Sequence, residues 1–192
     1  YTDALVERIQ TSLKALADQG VKIFFMHGNR DFLMGDVFAN ACGADMLAEG
    51  TVITVGDQQA LLMHGDSLCT RDVAYMNMRQ LFRNPEWQAD LLSKSIEERL
   101  AIGQQVRSES KAGQQMKADD IMDVTPEEVD KVMDDAKVNL LIHGHTHRPA
   151  THDWEFIGQE RQRIVLGDWG DDHGWLIRWD EGSSPVLEKF GF

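Results

Sequence analysis

The sequence has little cysteine and no long apolar run, and each absence excludes a class of protein. Its 192 residues include two cysteines, Cys42 and Cys69, which form no Cys-x-x-Cys pair. This spacing excludes a disulfide framework and a structural zinc site built on thiolates, and it favours a reducing, cytosolic compartment. No apolar stretch approaches the roughly 20 residues that a membrane-spanning helix needs. The opening residues, 1–5, also lack the pattern of a signal peptide.

Basic residues are scarce as well. Lysine and arginine number 19 against 32 aspartate and glutamate residues, so the formal net charge is −13. Such a balance argues against a protein that binds nucleic acid through bulk electrostatics. An anionic substrate stays open, because bound divalent cations reverse the electric field locally. The length is that of one domain with a real core.

Three short apolar runs, residues 24–28, 61–65 and 140–144, each end in His-Gly. Runs of this length that close in glycine predict buried strands. Ligands of sheet proteins gather just beyond strand ends, so the loops that follow predict one shared metal site. The polar residues of these loops are Asn29-Arg30-Asp31, Asp66 and His145-Thr146-His147.

The remaining pattern predicts helices mixed with strands, an α/β (α+β) protein. Helices are expected over residues 2–18 and 31–42 and through most of 71–137, with a polar loop at 108–120. Thr125-Pro126-Glu127-Glu128 predicts a helix start with a capping box. A hairpin is expected from strands 51–55 and 59–63, after a strand at 21–26. Four strands near the carboxyl terminus are expected to form an antiparallel meander: 151–157, 161–166, 175–179 and 186–190.

The His145-Thr146-His147 turn is the sharpest chemical signal. Its two imidazoles can reach different metals, or a metal and a substrate oxygen. His64 closes a second strand, and Asn29 offers an amide oxygen at the end of the first. Mixed imidazole and oxygen ligands suit Mn²⁺, Fe²⁺, Co²⁺ or Zn²⁺ better than Ca²⁺ or Mg²⁺.

Each of these residues also has a simpler interpretation. A single histidine at a strand end is usually a hydrogen-bonded core residue, and His27 and His143 are interpreted as structural or supporting. Asp31 is also consistent with a helix cap or an ion-pair partner, and Asp66 and Asp72 are consistent with loop caps. The three loops together, rather than any one residue, favour the metal site.

The strings Gly28-Asn29-Arg30-Asp31, His64-Gly65-Asp66 and Gly144-His145-Thr146-His147 resemble those of the calcineurin-like metallophosphoesterases. Within that family the chain looks like the UDP-2,3-diacylglucosamine diphosphatase branch of lipid A synthesis. Arg30 is the more specific feature, because most relatives carry histidine there. The stretches that match this branch are residues 27–33, 63–66 with 68–70, 121–124, 143–149 and 166–169.

The resemblance implies a single domain over 1–192, a β-sandwich flanked by helices, with a helical lid insertion at about 73–118. It also implies a dinuclear site, usually Mn²⁺, in which Asn29, His64 and His145 bind one ion and His147 the other. Asn29, Arg30 and His145 would be catalytic. The residues that would contact the substrate are Asn29, Arg30, Asp72, Ser110, Gln114, Lys117 and His145.

The implied reaction is attack of metal-activated water on the α-phosphorus of UDP-2,3-diacylglucosamine, which yields UMP and 2,3-diacylglucosamine 1-phosphate (lipid X). The implied location is the cytoplasm, in peripheral contact with the inner membrane of a Gram-negative bacterium. Arg30 suits such a substrate, since guanidinium offers a planar fork of donors to phosphate oxygens. Its simpler alternative is a surface ion pair with Asp31.

The family's first two metal motifs, an Asp-x-His and a Gly-Asp with a further Asp, belong before residue 1, together with central strands of the sheet. The 192-residue chain alone is therefore expected to be inactive and to bind at most one metal weakly. Two other functions stay open: a phosphoesterase acting on a soluble phosphodiester or nucleotide, and a non-catalytic scaffold with the same fold.

Overall fold

The structure, a computed structural model, describes residues 3–114 and 121–192. The residues cluster into two units. The first combines Tyr1–Leu47 with Asp72–Met122 and is mainly helical, and the second combines Ala48–Arg71 with Asp123–Phe192 and is mainly β-sheet. The single-domain organisation with a lid at 73–118 stays a prediction.

The described residues of the first unit form five helices and one pair of parallel strands. The elements are α1 Ala4–Asp18, β1 Ile23–Met26, α2 Asp36–Cys42, β2 Ala44–Leu47, α3 Val73–Phe82, α4 Pro85–Ser93 and α5 Ile96–Gln114. Strands β1 and β2 pair from Ile23 with Ala44 to Met26 with Leu47. Helix α2 between them ends at Gly43, whose φ of 68° suits glycine. A Cβ there would lie 2.7 Å from Cβ of Ala17, so the glycine also allows helix α1 to approach.

Two predictions for this unit are wrong in part, and one strand was missed. The helix expected from residue 31 begins at Asp36, because the Asp31 carboxylate accepts a hydrogen bond from Gly28 N at 2.6 Å and forms a turn instead. Strand β2 was not predicted. The loop expected over 108–120 is helical through Gln114, and residues 115–120 lie outside the described residues.

Aromatic side chains of the expected lid pack within the first unit. The Phe82 ring lies 5.4 Å from Phe32 and 4.9 Å from Trp87, measured between ring centroids. Such offset aromatic packing adds stability beyond the buried area. The cluster therefore joins the start of the lid segment to the loop that follows β1.

The elements of the second unit are β3 Thr51–Val55, β4 Gln58–Met63, α6 Pro126–Ala136, β5 Leu140–His143, β6 Ala150–Phe156, β7 Gln159–Val165, β8 His173–Arg178 and β9 Val186–Gly191. The unit is built on a five-stranded sheet in the order β3-β4-β5-β7-β6. Strands β4, β5 and β7 are parallel, while β3 and β6 close the two edges as antiparallel hairpin partners. The central strand β5 is buried at every position, which explains its continuous apolar run.

The two faces of this sheet are covered by different elements. Leu141 packs with Val129 and Met133 of helix α6 on one face. Ile142 packs on the other face with Ile177 and Leu187 of the β8–β9 hairpin. The second unit is thus layered as helix, sheet and hairpin, and it contains the sheet-on-sheet packing of the expected sandwich.

The expected four-stranded meander is wrong in its pairing. The four strands form two antiparallel hairpins in separate sheets, because β7 pairs in parallel with β5. The helix start at Thr125 is confirmed, but the capping box is not formed. Thr125 Oγ1 accepts from Thr70 Oγ1 at 2.8 Å, and its side chain caps no helical N–H. None of the helices in the described part of the chain is long and apolar enough to cross a membrane.

Candidate metal centre

Two of the three His-Gly loops meet at one end of the five-stranded sheet. Strands β4 and β5 are parallel neighbours, and their last pair is Met63 with His143. Immediately beyond it, Gly144 N donates a hydrogen bond to His64 O at 3.0 Å. The sheet register therefore confirms that the loops after these two strands lie side by side.

The imidazoles of His64 and His145 are neighbours in this arrangement. Their ring centroids lie 5.0 Å apart, with an angle of 69° between the planes. Two imidazoles at this separation can direct ring nitrogens at one ion, at the metal–nitrogen distance of about 2.0–2.1 Å. The geometry makes this pair the best metal-binding candidate in the second unit.

The backbone of the His145–His147 turn is strained. His145 has φ 64° and His147 has φ 55°, the left-handed region that costs a non-glycine residue about 1–2 kcal/mol. Thr146 N donates to Gly144 O at 2.8 Å and tightens the turn. Strain of this kind persists where the surroundings enforce it, and it is concentrated at ligand sites.

His143 lies beneath both loops and is 1% exposed. Its Nδ1–H donates to Gly144 O at 2.9 Å. Burial is the main cause that lowers the pKa of His143 to about 4; the hydrogen bond to Gly144 opposes the shift, and Arg163 contributes to it. The buried Nε2 atom has no hydrogen-bond partner among the described residues, a cost of about 1–3 kcal/mol.

Gly65 makes room for the His143 ring. Its φ is 106°, and an added Cβ would lie 2.7 Å from His143 Nδ1. Any other residue at this position would therefore displace the imidazole and strain the backbone. The His-Gly pair of β4 thus accommodates the histidine of β5.

An ion pair lies at the far side of the turn. Arg148 Nη1 is 3.1 Å from Asp123 Oδ2, while Asp123 Oδ1 accepts from Val124 N at 2.7 Å. The pair ties the residue after His147 to the segment that leads into α6. Sequence reasoning interpreted His143 as structural or supporting and did not assign a role to Asp123 or Arg148, although all three lie in stretches that carried the resemblance.

The other predicted site residues belong to the first unit. Asn29 is half-buried and Arg30 is exposed in the loop after β1, where Gly28 O accepts from Arg83 Nη2 at 3.2 Å. Asp72 is buried and caps α3, since its Oδ1 accepts from Tyr75 N at 3.0 Å. The simpler interpretation expected a loop cap at Asp72, and the structure shows a helix cap.

The polar substrate residues are only partly described. Ser110 and Gln114 lie in the last turns of α5 by their backbone, and Lys117 lies outside the described residues. The substrate roles of these three residues stay predictions.

Curated relatives resemble the chain along nearly all of its length. It is 48% identical over 192 residues to the UDP-2,3-diacylglucosamine hydrolase of Chromohalobacter salexigens, covering 100% of this chain and 78% of that protein. It is 53% identical to the enzyme of the same name from Cellvibrio japonicus, covering 91% and 72%. The chain belongs to the UDP-2,3-diacylglucosamine hydrolase family. The relative from Pseudomonas fluorescens is 50% identical, covering 90% and 69%.

Comparisons beyond this hydrolase family add little. No protein-family model matches the chain. Among solved structures, vacuolar protein sorting 29 of Cryptosporidium parvum has a TM-score of 0.39 at 12% identity, covering 95% of this chain and 77% of that one. Vps29 of Entamoeba histolytica complexed with zinc has a TM-score of 0.36 at 14% identity, covering 93% and 88%. At such scores these likenesses carry no argument about function.

The metal-binding side chains that the structure brings together form only part of a complete ligand set. Within residues 3–114 and 121–192, no three or more His, Cys, Asp or Glu side chains come together closely enough to hold one ion. His147 therefore does not join His64 and His145 in one such group. In this member of the hydrolase family, the second unit supplies a pair of imidazoles, which suits a divalent transition metal completed by further donors.

Proposed function

We propose that this protein is an enzyme that hydrolyses the pyrophosphate bond of UDP-2,3-diacylglucosamine in lipid A biosynthesis. The observation that carries the proposal is 48% identity over 192 residues to a protein named UDP-2,3-diacylglucosamine hydrolase. Water adds its oxygen to the α-phosphorus, the bond from that phosphorus to the bridging oxygen breaks, and the bridging oxygen leaves on the β-phosphate. The products are UMP and 2,3-diacylglucosamine 1-phosphate.

We propose Mn²⁺ as the metal, with two ions in the complete protein. His64 and His145 would bind one ion together with Asn29, and His147 would bind the other. The 5.0 Å separation of the first two rings supports a shared ion. When bound, such ions act as Lewis acids on phosphoryl oxygens.

The chain's own polar residues would bind and orient the substrate. Arg30 is exposed and always charged, so it can present two parallel N–H donors to phosphate oxygens. Ser110, Gln114, Lys117 and Asp72 would contact the same substrate. A peripheral contact with the inner membrane, from the cytoplasmic side, follows from the acyl chains of this substrate.

The test is a parallel assay of the protein encoded by the gene that contains this sequence. It would be incubated with Mn²⁺ and either UDP-2,3-diacylglucosamine or bis(p-nitrophenyl) phosphate, in water enriched in ¹⁸O. We expect a strong preference for the lipid substrate, with the label in UMP by mass spectrometry. Label in the lipid phosphate would contradict attack at the α-phosphorus, and a preference for the small diester would remove the lipid assignment.

Single variants connect this activity to the candidate site. His64→Ala and His145→Ala are each expected to lower kcat by about 100-fold or more, because each removes a metal ligand. His173→Ala is the matched control, since that imidazole pairs with Asp172 at 2.7 Å, away from both loops in sequence. Equal activity of all three variants would argue for a scaffold or for a different site.

A further inference from the structure

The backbone of Gly144 joins the two histidine loops. Its N–H, in the peptide plane shared with His143, donates to His64 O at 3.0 Å. Its carbonyl oxygen, in the peptide plane shared with His145, accepts from His143 Nδ1 at 2.9 Å and from Thr146 N at 2.8 Å. Two adjacent peptide planes that meet at the Gly144 Cα thus connect the residue that carries the first imidazole to the turn that carries the second. A rotation about the backbone bonds of Gly144 would move His64 and His145 relative to each other.

His143 is the side chain that holds the second of these two planes, through the Gly144 carbonyl oxygen. Its ring is buried and fills the notch that Gly65 leaves, where an added Cβ would lie 2.7 Å from Nδ1. Because Nδ1 faces a carbonyl oxygen, that nitrogen carries the proton, and Nε2 is left as an acceptor. Nε2 is buried and has no hydrogen-bond partner in the part of the chain that the structure describes.

Because Nε2 has no partner among the described residues, packing alone does not explain a histidine at this position. An apolar side chain of similar size would fill the same notch without burying an unpaired acceptor, so packing alone favours leucine. What leucine lacks is the Nδ1–H donor to Gly144. The feature that distinguishes histidine at this position is therefore its hydrogen bond to the carbonyl oxygen of Gly144, the residue that connects the loops.

We propose that His143 is a positioning residue, whose Nδ1–H holds the Gly144 carbonyl oxygen and thereby sets the spacing of His64 and His145 for a shared metal ion. The inference rests on the metal centre of the proposed function. It assigns His143 no contact with substrate or metal.

Three variants separate the hydrogen bond from packing. His143→Asn places an amide N–H close to the position of Nδ1 but gives up ring volume. His143→Leu keeps volume and loses the donor. Ile142→Val is the matched control, because its side chain packs toward β8–β9 on the opposite face and leaves both loops untouched.

The measurement is a Co²⁺ titration of the metal-free gene product, followed by visible absorption. Thermal unfolding in EDTA identifies a temperature at which each variant is folded, and the titrations are compared there. We expect His143→Leu to weaken Co²⁺ binding about 10-fold or more and to shift the absorption bands, as loss of a supporting residue does. His143→Asn should stay within about threefold of the wild type, and Ile142→Val should match it even with a lowered Tm.

Each other outcome has a definite meaning. If His143→Leu binds Co²⁺ with wild-type affinity and spectrum, the positioning role is wrong while the metal centre stands. If His143→Asn is as weak as His143→Leu, ring shape rather than the N–H is responsible, and the proposal is overturned. If the wild type binds no Co²⁺, both the metal centre and this inference fail.

Discussion

The segment His143–His147, at the end of β5 and in the loop that follows, combines backbone strain with burial of a polar ring. His145 and His147 adopt left-handed backbone angles, and His143 is buried with one nitrogen unpaired. Each feature lowers the stability of the folded chain. Their occurrence within five consecutive residues indicates that this segment is shaped by ligand binding rather than by stability.

At the residue scale, His143 should make the metal-free protein less stable in acid. Its pKa is about 4 when folded, below the ordinary 6.5, because burial disfavours the charged ring. Between these pH values the unfolded chain binds a proton that the folded chain does not, so the stabilisation present above pH 6.5 is lost as pH falls toward 4. Among the neighbouring charges, Arg163 also lowers the pKa of His143 and Asp123 raises it, and the effect of burial is larger than either.

Urea unfolding in EDTA at pH 7.5 and pH 5 measures this effect. The wild type should lose about 2 kcal/mol more of its unfolding free energy between these pH values than His143→Leu, which cannot bind the proton. Equal losses in the two proteins would show that the folded ring titrates normally and is not desolvated.

At the element scale, a buried arginine joins helix α6 to strands β6 and β7. Arg161 is 3% exposed, and its Nη1 donates to Asp130 O at 3.1 Å and to Asp130 Oδ1 at 3.0 Å. Its Nη2 pairs with Asp134, and its guanidinium lies 4.2 Å from the Phe156 ring centroid. Trp154 Nε1 also donates to Asp130 Oδ1 at 3.1 Å. Asp130 is thus the central acceptor of this contact.

Removing the two carboxylates should therefore have unequal effects. Asp130→Ala removes the main acceptor of the buried Arg161 guanidinium and should lower the free energy of unfolding by about 3–5 kcal/mol. Asp134 is 55% exposed, so Asp134→Ala should cost about 1 kcal/mol or less. Asp135→Ala, an exposed acid on the same helix, is the control in urea denaturation. Equal costs for Asp130 and Asp134 would contradict the assigned network.

The sequence pattern predicted helices and hairpins correctly where caps and turns formed by nearby residues decide the structure. The helix ending before Gly20, the hairpin at Gly56 and the start of α6 were all predictable from caps and turns. Side-chain competition explains two errors. The Asp31 carboxylate accepts a hydrogen bond from Gly28 N and forms a turn in place of the first helical turn. The Thr125 hydroxyl, which was expected to cap α6, instead accepts a hydrogen bond from the Thr70 hydroxyl.

At the scale of the whole molecule, strand partners were the least predictable feature. Nothing local in β7 specifies that it pairs in parallel with β5 rather than with the following strand. The neighbouring positions of His64 and His145 were predictable, because parallel strands bring their carboxyl ends to one edge. Positive φ angles in the turn and the peptide link through Gly144 depend on that edge contact, so the sequence alone could not reveal them.

We propose that His64 and His145 bind one metal ion, and anomalous diffraction from crystals of the gene product grown with Mn²⁺ would show this ion. We expect a metal peak within about 2.0–2.3 Å of a ring nitrogen of His64 and of His145. A metal bonded to only one of the two imidazoles, or rings that face apart with no metal between them, would contradict it.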